Sequence, residues 1–442
     1  MIIPHHMSGK TVAILGLGRS GISACDALLM AGAICYVHDD QMIPDHTPQE
    51  AIIAAPDQWP WDDIDALVMS PGIPTRYPAP HPAAEQAQAR QIPIISDIEL
   101  FMNADIAARV IGITGTNGKS TTTALVAHII NQCGIPTITG GNIGTPVMAL
   151  NDPGADGIIV LELSSYQLEI TPSLRLDAAA ILNITPDHLD RHGGWDGYRA
   201  AKEQIAHAVT GTGGLIVGTD NACQDIAATF SHIAISIDPD VVSAKQPNIN
   251  LPPALKGGHN LMNIAAAMLI CDRLDISVSS WEETLSGFKG LAHRMEWLGQ
   301  RDGIQFVNDS KATNGIAAAK ALTSYPAIYW IVGGQMKEDG LGDTINALDH
   351  VRHAFVIGAE PADCVDILTP YIPVNACHTI EQATQSAYAK AHHDQIDGAT
   401  VLLSPAAASF DQFKNFEHRG DCFRAAVNHI LAETHPMEHA HV

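Results

Sequence analysis

The sequence contains a glycine-rich segment, ITGTNGKSTTT at 113–123, whose residue types suit phosphate chemistry. It follows a β-branched run and opens a helical pattern, which is the setting of a phosphate-binding loop. Glycines let backbone amides surround phosphate oxygens, Lys119 can reach the β- and γ-phosphates, and the Ser120 hydroxyl can ligate Mg²⁺. The match to G-x-x-x-x-G-K-[ST] is incomplete, because Ile113 stands at its first glycine. A glycine-rich turn without a ligand is the alternative, and we favour nucleotide binding.

A second glycine turn, GLGRSG at 16–21, also lies between a predicted strand and a predicted helix. It fits G-x-G-x-x-G, and Asp39 and Asp40 end the next strand at about the distance expected of a ribose-binding acid. The pattern suits a nicotinamide or flavin enzyme and equally any ligand that carries a diphosphate and a ribose. These residues alone leave the choice open.

Three further residues follow or adjoin apolar runs of the middle region. Glu162, in LELSSYQLE, ends a strand at the position where ATP-using folds hold Mg²⁺ or a water molecule. His188, in NITPDHLDRH, follows the run AAAILNI and could ligate a metal as a neutral imidazole. Lys202 lies inside a helical pattern, and on the residues alone a solvated helical lysine explains it best.

Asn260 and Asn263 occupy positions i and i+3 of a helical pattern that begins at GGHN. Their amides could contact an adenine edge, or could cap and pack the start of the helix, and spacing does not decide between the two. In the last third of the chain four cations follow predicted strands, where they could bind carboxylates and phosphates or form ordinary surface charge. These cations are Arg294, Lys311, Lys337 and Lys414.

The elements that would position these residues alternate between short apolar strands and helices, which predicts an α/β fold with parallel sheets. The alternation falls into three series. We predict domains at 1–97, 98–292 and 293–442.

Composition excludes several classes of protein. With 24 basic and 48 acidic residues the formal net charge is −24, which argues against binding to nucleic acid or to an anionic membrane surface. No apolar run is long enough to span a membrane. The 8 cysteines include no C-x-x-C pair, so neither a zinc site nor a disulfide framework is predicted, and the reducing cytoplasm is the expected compartment.

Taken together and in this order, the motifs resemble those of the Mur ligases, the ATP-dependent amino-acid-adding enzymes of peptidoglycan synthesis. The resemblance runs from Gly16 to Asp421. NDSKATN and SPAAASFDQFKNFEHRG favour the members that add D-glutamate, and the D-N-P-R motif of the diaminopimelate- or lysine-adding members is absent. The segments that carry the resemblance to the Mur ligases are GTNGKST, ELSSYQLE, NITPDHLDRH, Tyr198 to Lys202, GGHN, HRMEWLG, NDSKATN and SPAAASFDQFKNFEHRG.

The resemblance implies a Rossmann-like N-terminal domain that binds UDP, a central P-loop ATPase-like domain, and a Rossmann-like C-terminal domain that binds the amino acid. It implies ligation of D-glutamate to UDP-N-acetylmuramoyl-L-alanine through an acyl phosphate, by a cytoplasmic monomer that supports cell-wall synthesis, cell shape and division. The alternatives are another Mur-type or folylpolyglutamate-type ligase, or an NAD(P)-dependent oxidoreductase built on GLGRSG.

The resemblance also implies residue roles. The catalytic residues would be Lys119, His188 and Lys202. The ATP contacts would be Gly115, Thr116, Asn117, Gly118, Lys119, Ser120, Thr121, Asn260, Asn263, Arg294 and Asp309. The UDP-sugar contacts would be Gly18, Arg19, Ser20, Asp39, Ser70, Gly72, Asn142 and Gln167. The D-glutamate contacts would be Lys311, Thr313, Lys337, Ser409 and Phe416.

Two Mg²⁺ sites are implied as well, the first with Ser120 and Glu162 and the second with His188 and Lys202. In the family this lysine is carbamylated, which turns a cation into an anionic metal ligand. One departure is visible, since Gln335 and Met336 precede Lys337 where a G-D-G-K-like run is expected. This departure leaves the role of Lys337 open.

Overall fold

A computed structural model describes residues 1–210, 214–245, 251–255, 258–336 and 340–432. The chain forms two compact units, one of 1–251 with 255–288 and the other of 252–254 with 289–442. The first unit contains two sheets and the second unit contains one. The predicted α/β fold with parallel sheets is confirmed, whereas the domain limits at 97 and 293 stay predictions.

The first sheet is parallel, with the strand order β3-β2-β1-β4-β5. Val12 and Ile14 pack on one face of it and Ala13 and Leu15 on the other, as expected of a strand covered on both sides. Its strands are β1 (Thr11–Leu15), β2 (Ile34–His38), β3 (Ile52–Ile53), β4 (Ala66–Met69) and β5 (Ile94–Ile95), and its helices are α1 (Arg19–Met30), α2 (Pro82–Ala89) and α3 (Asp97–Met102).

The second sheet is also parallel, in the order β11-β10-β9-β6-β8-β7. The strands are β6 (Arg109–Thr114), β7 (Thr137–Gly141), β8 (Ile158–Glu162), β9 (Ala178–Ile181), β10 (Leu215–Val217) and β11 (Ala234–Ser236). The helices are α4 (Lys119–Gln132), α5 (Ser165–Glu169), α6 (Trp195–His207), α7 (Asn221–Thr229), α8 (Asp240–Lys245), α9 (Gly258–Arg273) and α10 (Trp281–Ser286). Since β6 lies between β8 and β9, the loops that follow these three strands meet at one edge.

The third sheet has the order β12-β13-β17-β14-β15-β16, and only the pair β12–β13 is antiparallel. Its strands are β12 (Glu296–Arg301), β13 (Ile304–Asn308), β14 (Ala327–Gly333), β15 (Val351–Ile357), β16 (Val374–His378) and β17 (Ala399–Leu403). Its helices are α11 (Gly315–Leu322), α12 (Ala362–Leu368), α13 (Ile380–Asp394) and α14 (Phe416–Ala432).

Arg419 of α14 is fully buried in the second unit and fixes two loops. Its guanidinium donates to Ser310 Oγ at 3.0 Å, to the Ser310 carbonyl at 2.9 Å and to the Ala407 carbonyl at 3.0 Å. The loops after β13 and β17 are thereby held together by one side chain.

Among the described residues, no helix combines the length and the apolar character that crossing a bilayer requires.

Candidate active site

The loop between β6 and α4 has the geometry of a phosphate-binding loop. Gly118 adopts a left-handed φ of +85°, and a Cβ at this position would lie 2.5 Å from Asn263 Oδ1, so only glycine fits. The Lys119 ammonium folds back over the loop and donates to the carbonyls of Gly115 at 2.8 Å and Thr116 at 2.9 Å. The expected nucleotide contacts 115–121 therefore form one continuous loop and first helical turn.

The segment that follows β9 braces this loop. Asn183 accepts from the Asn117 amide at 2.8 Å and donates to the Asn117 carbonyl at 3.0 Å. The Thr116 hydroxyl donates to the Thr185 carbonyl at 3.1 Å and lies 3.0 Å from the Tyr198 hydroxyl. These bonds hold the loop in shape before a ligand binds.

Glu162 ends β8 opposite Ile113 of β6, and only 2% of the residue is exposed. Its Oε1 accepts from Asn142 Nδ2 at 2.8 Å, whereas Oε2 has no hydrogen-bond partner among the described residues. A buried carboxylate oxygen without a partner is costly unless a cation binds it. Asn142 was expected at the UDP-sugar, and the structure places its side chain on Glu162.

Mg²⁺ fits this environment chemically. The cation prefers hard oxygen ligands and usually keeps several ligands from water or phosphate. The Glu162 carboxylate and the buried Ser120 hydroxyl at the start of α4 supply such oxygens. The described residues contain no cluster of three or more His, Cys, Asp or Glu side chains, so Ser120 and Glu162 would leave coordination positions for water or phosphate oxygens.

Lys202 is buried, with 2% of the residue exposed. The interpretation of this residue as a solvated helical lysine is therefore wrong. Its ammonium donates to the Gly115 carbonyl at 2.9 Å and lies 4.9 Å from the centre of the Tyr198 ring. Burial, and then the charge of Lys119, lowers the pKa of Lys202 to about 7. The amine is thus available in its neutral, nucleophilic form near neutral pH.

His188 adopts a left-handed φ of +50°, and 53% of its side chain is exposed. Its ring lies 5.4 Å from that of Tyr166, which stacks on His192 at 5.2 Å. His192 is buried between Ser165 Oγ at 2.9 Å and Glu169 Oε1 at 2.8 Å. The aromatic group therefore supports the segment that carries His188.

Asn260 and Asn263 lie beside the phosphate loop, where an adenine contact stays a prediction. Asn263 Nδ2 donates to Asn260 Oδ1 at 3.0 Å, and Thr122 Oγ1 donates to Asn263 Oδ1 at 3.2 Å. The pair also packs the start of α4, since both residues are buried. The structure thus combines the packing role with proximity to the loop.

The glycine turn after β1 is closed by Ser70, whose hydroxyl donates to the Gly16 carbonyl at 3.0 Å. Gly18 and Arg19 begin α1. Asp39 Oδ2 accepts from the Leu17 amide at 2.7 Å. Burial opposes ionisation of Asp39, but backbone amides including that of Leu17 outweigh it and hold the pKa of Asp39 below its usual value.

One expected UDP-sugar contact, Gly72 in the loop after β4, joins the first sheet to the segment after β9 of the second. The Gly72 carbonyl accepts from Arg191 at 2.7 Å, and the Arg191 guanidinium lies 4.8 Å from the Tyr166 ring centre. Gln167 lies on α5, where Ser164 and Gln167 form a capping box. The first sheet is thus tied to the region around His188 within one unit.

In the second unit, Asp309 follows β13 and is buried. It accepts from Ser404 Oγ at 2.9 Å and from the Met295 amide at 3.1 Å. Met295 directly follows Arg294 in the sequence. Burial raises the pKa of Asp309 to about 7.

The Gln335 amide and carbonyl pair with the backbone of Ala408, which connects the loop after β14 to the loop after β17.

The expected D-glutamate residues lie on the loops of this unit. The Lys311 amide donates to the His293 carbonyl at 2.9 Å, and the Thr313 amide donates to the Lys311 carbonyl at 2.8 Å. Ser409 is buried, and Phe416 packs edge-on against His293 at 6.3 Å. Lys337 lies outside the described residues.

Comparison with known proteins decides the family. The model of the Mur ligase middle domain matches residues 113–238, and that of the Mur ligase glutamate ligase domain matches residues 293–407. A UDP-N-acetylmuramoylalanine--D-glutamate ligase from Paramagnetospirillum magneticum is 42% identical over 95% of this chain and 97% of its own. The chain belongs to the Mur ligase family.

A relative of the same name from Novosphingobium aromaticivorans is 41% identical to this Mur ligase over 98% of both chains. Among solved structures, a UDP-N-acetylmuramate-alanine ligase from Thermotoga maritima has a TM-score of 0.56 at 16% identity and covers 95% of this chain and 99% of its own. MurF from Acinetobacter baumannii has a TM-score of 0.56 at 17% identity, covering 96% and 93%. These structures share the three-domain α/β fold, which confirms that expectation.

Sequence reasoning missed several residues of this Mur ligase site. Asn183, Tyr198 and His192 support the phosphate loop and the His188 segment through contacts that span distant parts of the chain. Asn183 had a detectable signal, since it follows an apolar strand beside the phosphate loop strand. The nicotinamide-dependent interpretation of GLGRSG is rejected, because the relatives that share the whole chain are amino-acid ligases by name.

Proposed function

We propose that this Mur ligase joins D-glutamate to UDP-N-acetylmuramoyl-L-alanine at the expense of ATP, in peptidoglycan precursor synthesis. The names of the near-full-length relatives support these substrates. The observation that carries the proposal is the phosphate loop itself. Lys119 and the buried Lys202 both donate to the Gly115 carbonyl of this loop. Glu162, whose Oε2 has no partner among the described residues, lies at the same edge of the sheet.

In the first step the carboxylate of the UDP-sugar attacks the γ-phosphorus of ATP. A new oxygen–phosphorus bond forms, the bond to the β-phosphate oxygen breaks, and ADP leaves. Lys119 neutralises charge on the phosphates, and the braced loop amides hold them in place. Catalysis is therefore mainly positioning and electrostatic stabilisation, as in other phosphoryl transfers.

In the second step the amine of D-glutamate attacks the acyl carbon. The tetrahedral intermediate expels phosphate, and the nitrogen loses its proton as the amide forms. We assign the glutamate carboxylates to the cations and hydroxyls of the second unit. These residues are Lys311, Thr313, Lys337 and Ser409, with Phe416 beside them.

Ser120 and Glu162 would hold one Mg²⁺, and His188 with Lys202 would hold a second. When bound, Mg²⁺ supplies positive charge against the phosphate oxygens. For the second site, the neutral Lys202 amine forms a nitrogen–carbon bond with CO₂ and releases one proton, which yields a carbamate anion. Burial and the Lys119 charge favour the neutral amine that this reaction needs.

The remaining inferences concern the cellular compartment, the oligomeric state, the binding partners and the phosphoryl donor. We infer a cytoplasmic monomer that binds neither nucleic acid nor membranes. The net charge of −24 argues against binding to nucleic acid and to anionic membranes, and eight cysteines without a C-x-x-C pair suit the cytoplasm. ATP as the phosphoryl donor is supported by the family match and by the phosphate loop.

The test is phosphate release from Mg-ATP in the presence of UDP-N-acetylmuramoyl-L-alanine and either D- or L-glutamate. Release that requires the UDP-sugar and D-glutamate together is the expected result. Release with L-glutamate alone would overturn the amino-acid assignment but keep the mechanism. No release with either amino acid would overturn the substrates.

A further inference from the structure

Asp97 is a buried acid at the first position of α3, and only 2% of the residue is exposed. Its Oδ1 accepts from the amide of the next residue, Ile98, at 3.0 Å. Its Oδ2 has no hydrogen-bond partner among the described residues. A buried carboxyl oxygen of this kind calls for an explanation, because such groups are nearly always bonded.

The surroundings of Asp97 come from three elements that carry expected UDP-sugar contacts. A cavity of about 10 Å³ adjoins the carboxyl and is lined by Ser20 of the glycine turn and by Ser70 after β4, among others. The Gln167 side chain of α5 also faces the carboxyl. Ser20 and Gln167 both form hydrogen-bonding interactions with the carboxyl group, although Oδ2 itself has no bond of good geometry among the described residues.

The position of Asp97 is fixed by its neighbour Ser96, which caps α3. The Ser96 hydroxyl lies 2.7 Å from that of Thr171, and the Ser96 amide donates to the Ile170 carbonyl at 3.1 Å. Ile170 and Thr171 directly follow α5. The start of α3 is therefore attached to the helix that carries Gln167, while its other side meets the glycine turn.

Few charged side chains lie on the elements packed around the carboxyl. The charged side chains on the packed elements are Arg19 and Asp26 of α1, Glu99 of α3 and Glu169 of α5; strands β1, β4 and β5 carry none. The Glu99 carboxyl is bonded to Asn103 and to the Ser173 amide. Burial raises the pKa of Asp97, and hydrogen-bonding groups of Gln167 and Ser20 oppose it only in part. A neutral acid can donate one hydrogen bond as well as accept others.

We propose that Asp97 is a positioning residue that holds Ser20 of the glycine turn and Gln167 of α5 in place for the UDP-sugar. The inference rests on the proposed function, since it assumes that a uridine diphosphate binds at this turn. The role of Asp97 is to set affinity for the UDP-sugar, and the reacting atoms lie elsewhere.

The experiment measures phosphate release by the full-length protein while each substrate is varied, for wild type, D97A and D97N. D97A is expected to raise KM for the UDP-sugar about tenfold, with KM for ATP and D-glutamate within about twofold of wild type. D97N, which keeps the shape and hydrogen-bonding groups, is expected to restore most of the UDP-sugar affinity. D65N is the matched control, because Asp65 is bonded to Lys10 and Thr11 away from the turn.

A pH series separates positioning from general stability. The raised pKa keeps Asp97 protonated to higher pH than an ordinary aspartate, and its ionisation would repel the diphosphate, so the wild-type KM for the UDP-sugar is expected to rise with pH relative to that of D97N. An unchanged KM in D97A, or an equal rise in all three KM values, would overturn the proposal. If D97A does not fold, identical pH profiles for wild type and D97N would overturn it.

Failure of the proposed function gives a different result. Wild type would then release no phosphate in response to the UDP-sugar. UDP alone would be the probe in that case, with thermal stabilisation as the readout. UDP stabilisation that is weaker in D97A than in wild type and D65N would uphold the role of Asp97. Equal stabilisation of all three proteins would overturn it.

Discussion

Lys119 and Lys202 donate to the same carbonyl oxygen, that of Gly115, at 2.8 and 2.9 Å. Two ammonium groups on one acceptor repel each other, which destabilises the charged form of the more buried one. Burial and this repulsion together explain the lowered pKa of Lys202. The Gly115 carbonyl thus accepts from Lys119 of the phosphate loop and from Lys202 of α6, whose pKa is lowered to about 7.

Replacing Lys119 with alanine should abolish most activity without unfolding the protein. The side chain is the cation of the phosphate loop, and its loss removes charge stabilisation of the phosphoryl transfer. We expect kcat to fall by about 10²- to 10³-fold. Phosphate release measures the effect, and K10A, which changes an exposed lysine paired with Asp65, is the control. Near-normal turnover of K119A would rule out the phosphate-loop assignment.

Lys202→Ala tests the carbamate. Turnover should fall by about 100-fold or more, since the proposed ligand of the second Mg²⁺ would be lost. Added bicarbonate should not restore the variant, whereas short carboxylic acids should restore it partly by replacing the carbamate. Wild-type activity should also decline when dissolved CO₂ is removed. A fully active K202A would exclude the carbamate, and the phosphate-release assay provides the comparison.

Asn142→Ala removes the donor that orients Glu162 Oε1. The carboxylate would lose its fixed geometry, and the variant should need more Mg²⁺ for half-maximal activity, by about 10- to 100-fold. Titration of activity with Mg²⁺ gives this value directly. N221A is the matched control, since Asn221 is an exposed residue of the same unit. An unchanged Mg²⁺ requirement would contradict the role of the Asn142–Glu162 pair.

The raised pKa of Asp309 predicts that the free energy of unfolding of the protein depends on pH. Its pKa is raised to about 7 by burial, so the folded protein keeps a proton that the unfolded chain loses at lower pH. The free energy of unfolding should therefore fall as pH rises from about 4 to about 7 through this group. Asp309→Asn should lessen that fall by at least about 1 kcal/mol, as measured by denaturant unfolding at pH 5 and pH 8. An equal fall in the free energy of unfolding of wild type and D309N between pH 5 and pH 8 would argue against this role of Asp309.

The sequence by itself determined the local features of this protein. The phosphate loop at 113–123 and the glycine turn at 16–21 were each predicted from neighbouring residues to lie between a strand and a helix, and the structure places both of them so. Such features depend on side-chain alternation and on glycine conformations, which act over a few positions. The resemblance to the Mur ligases likewise rests on segments whose residues are contiguous.

Only the tertiary structure decided where the charged side chains lie. Lys202 is 87 residues from Gly115, and its burial against that carbonyl reversed the interpretation of a solvated lysine. Asn142 contacts Glu162 because β7 and β8 are neighbours, and Asp97 is enclosed because α3 packs between the glycine turn and α5. Burial and pairing of charges depend on strand order and on contacts between distant segments, and local spacing carries no information about either.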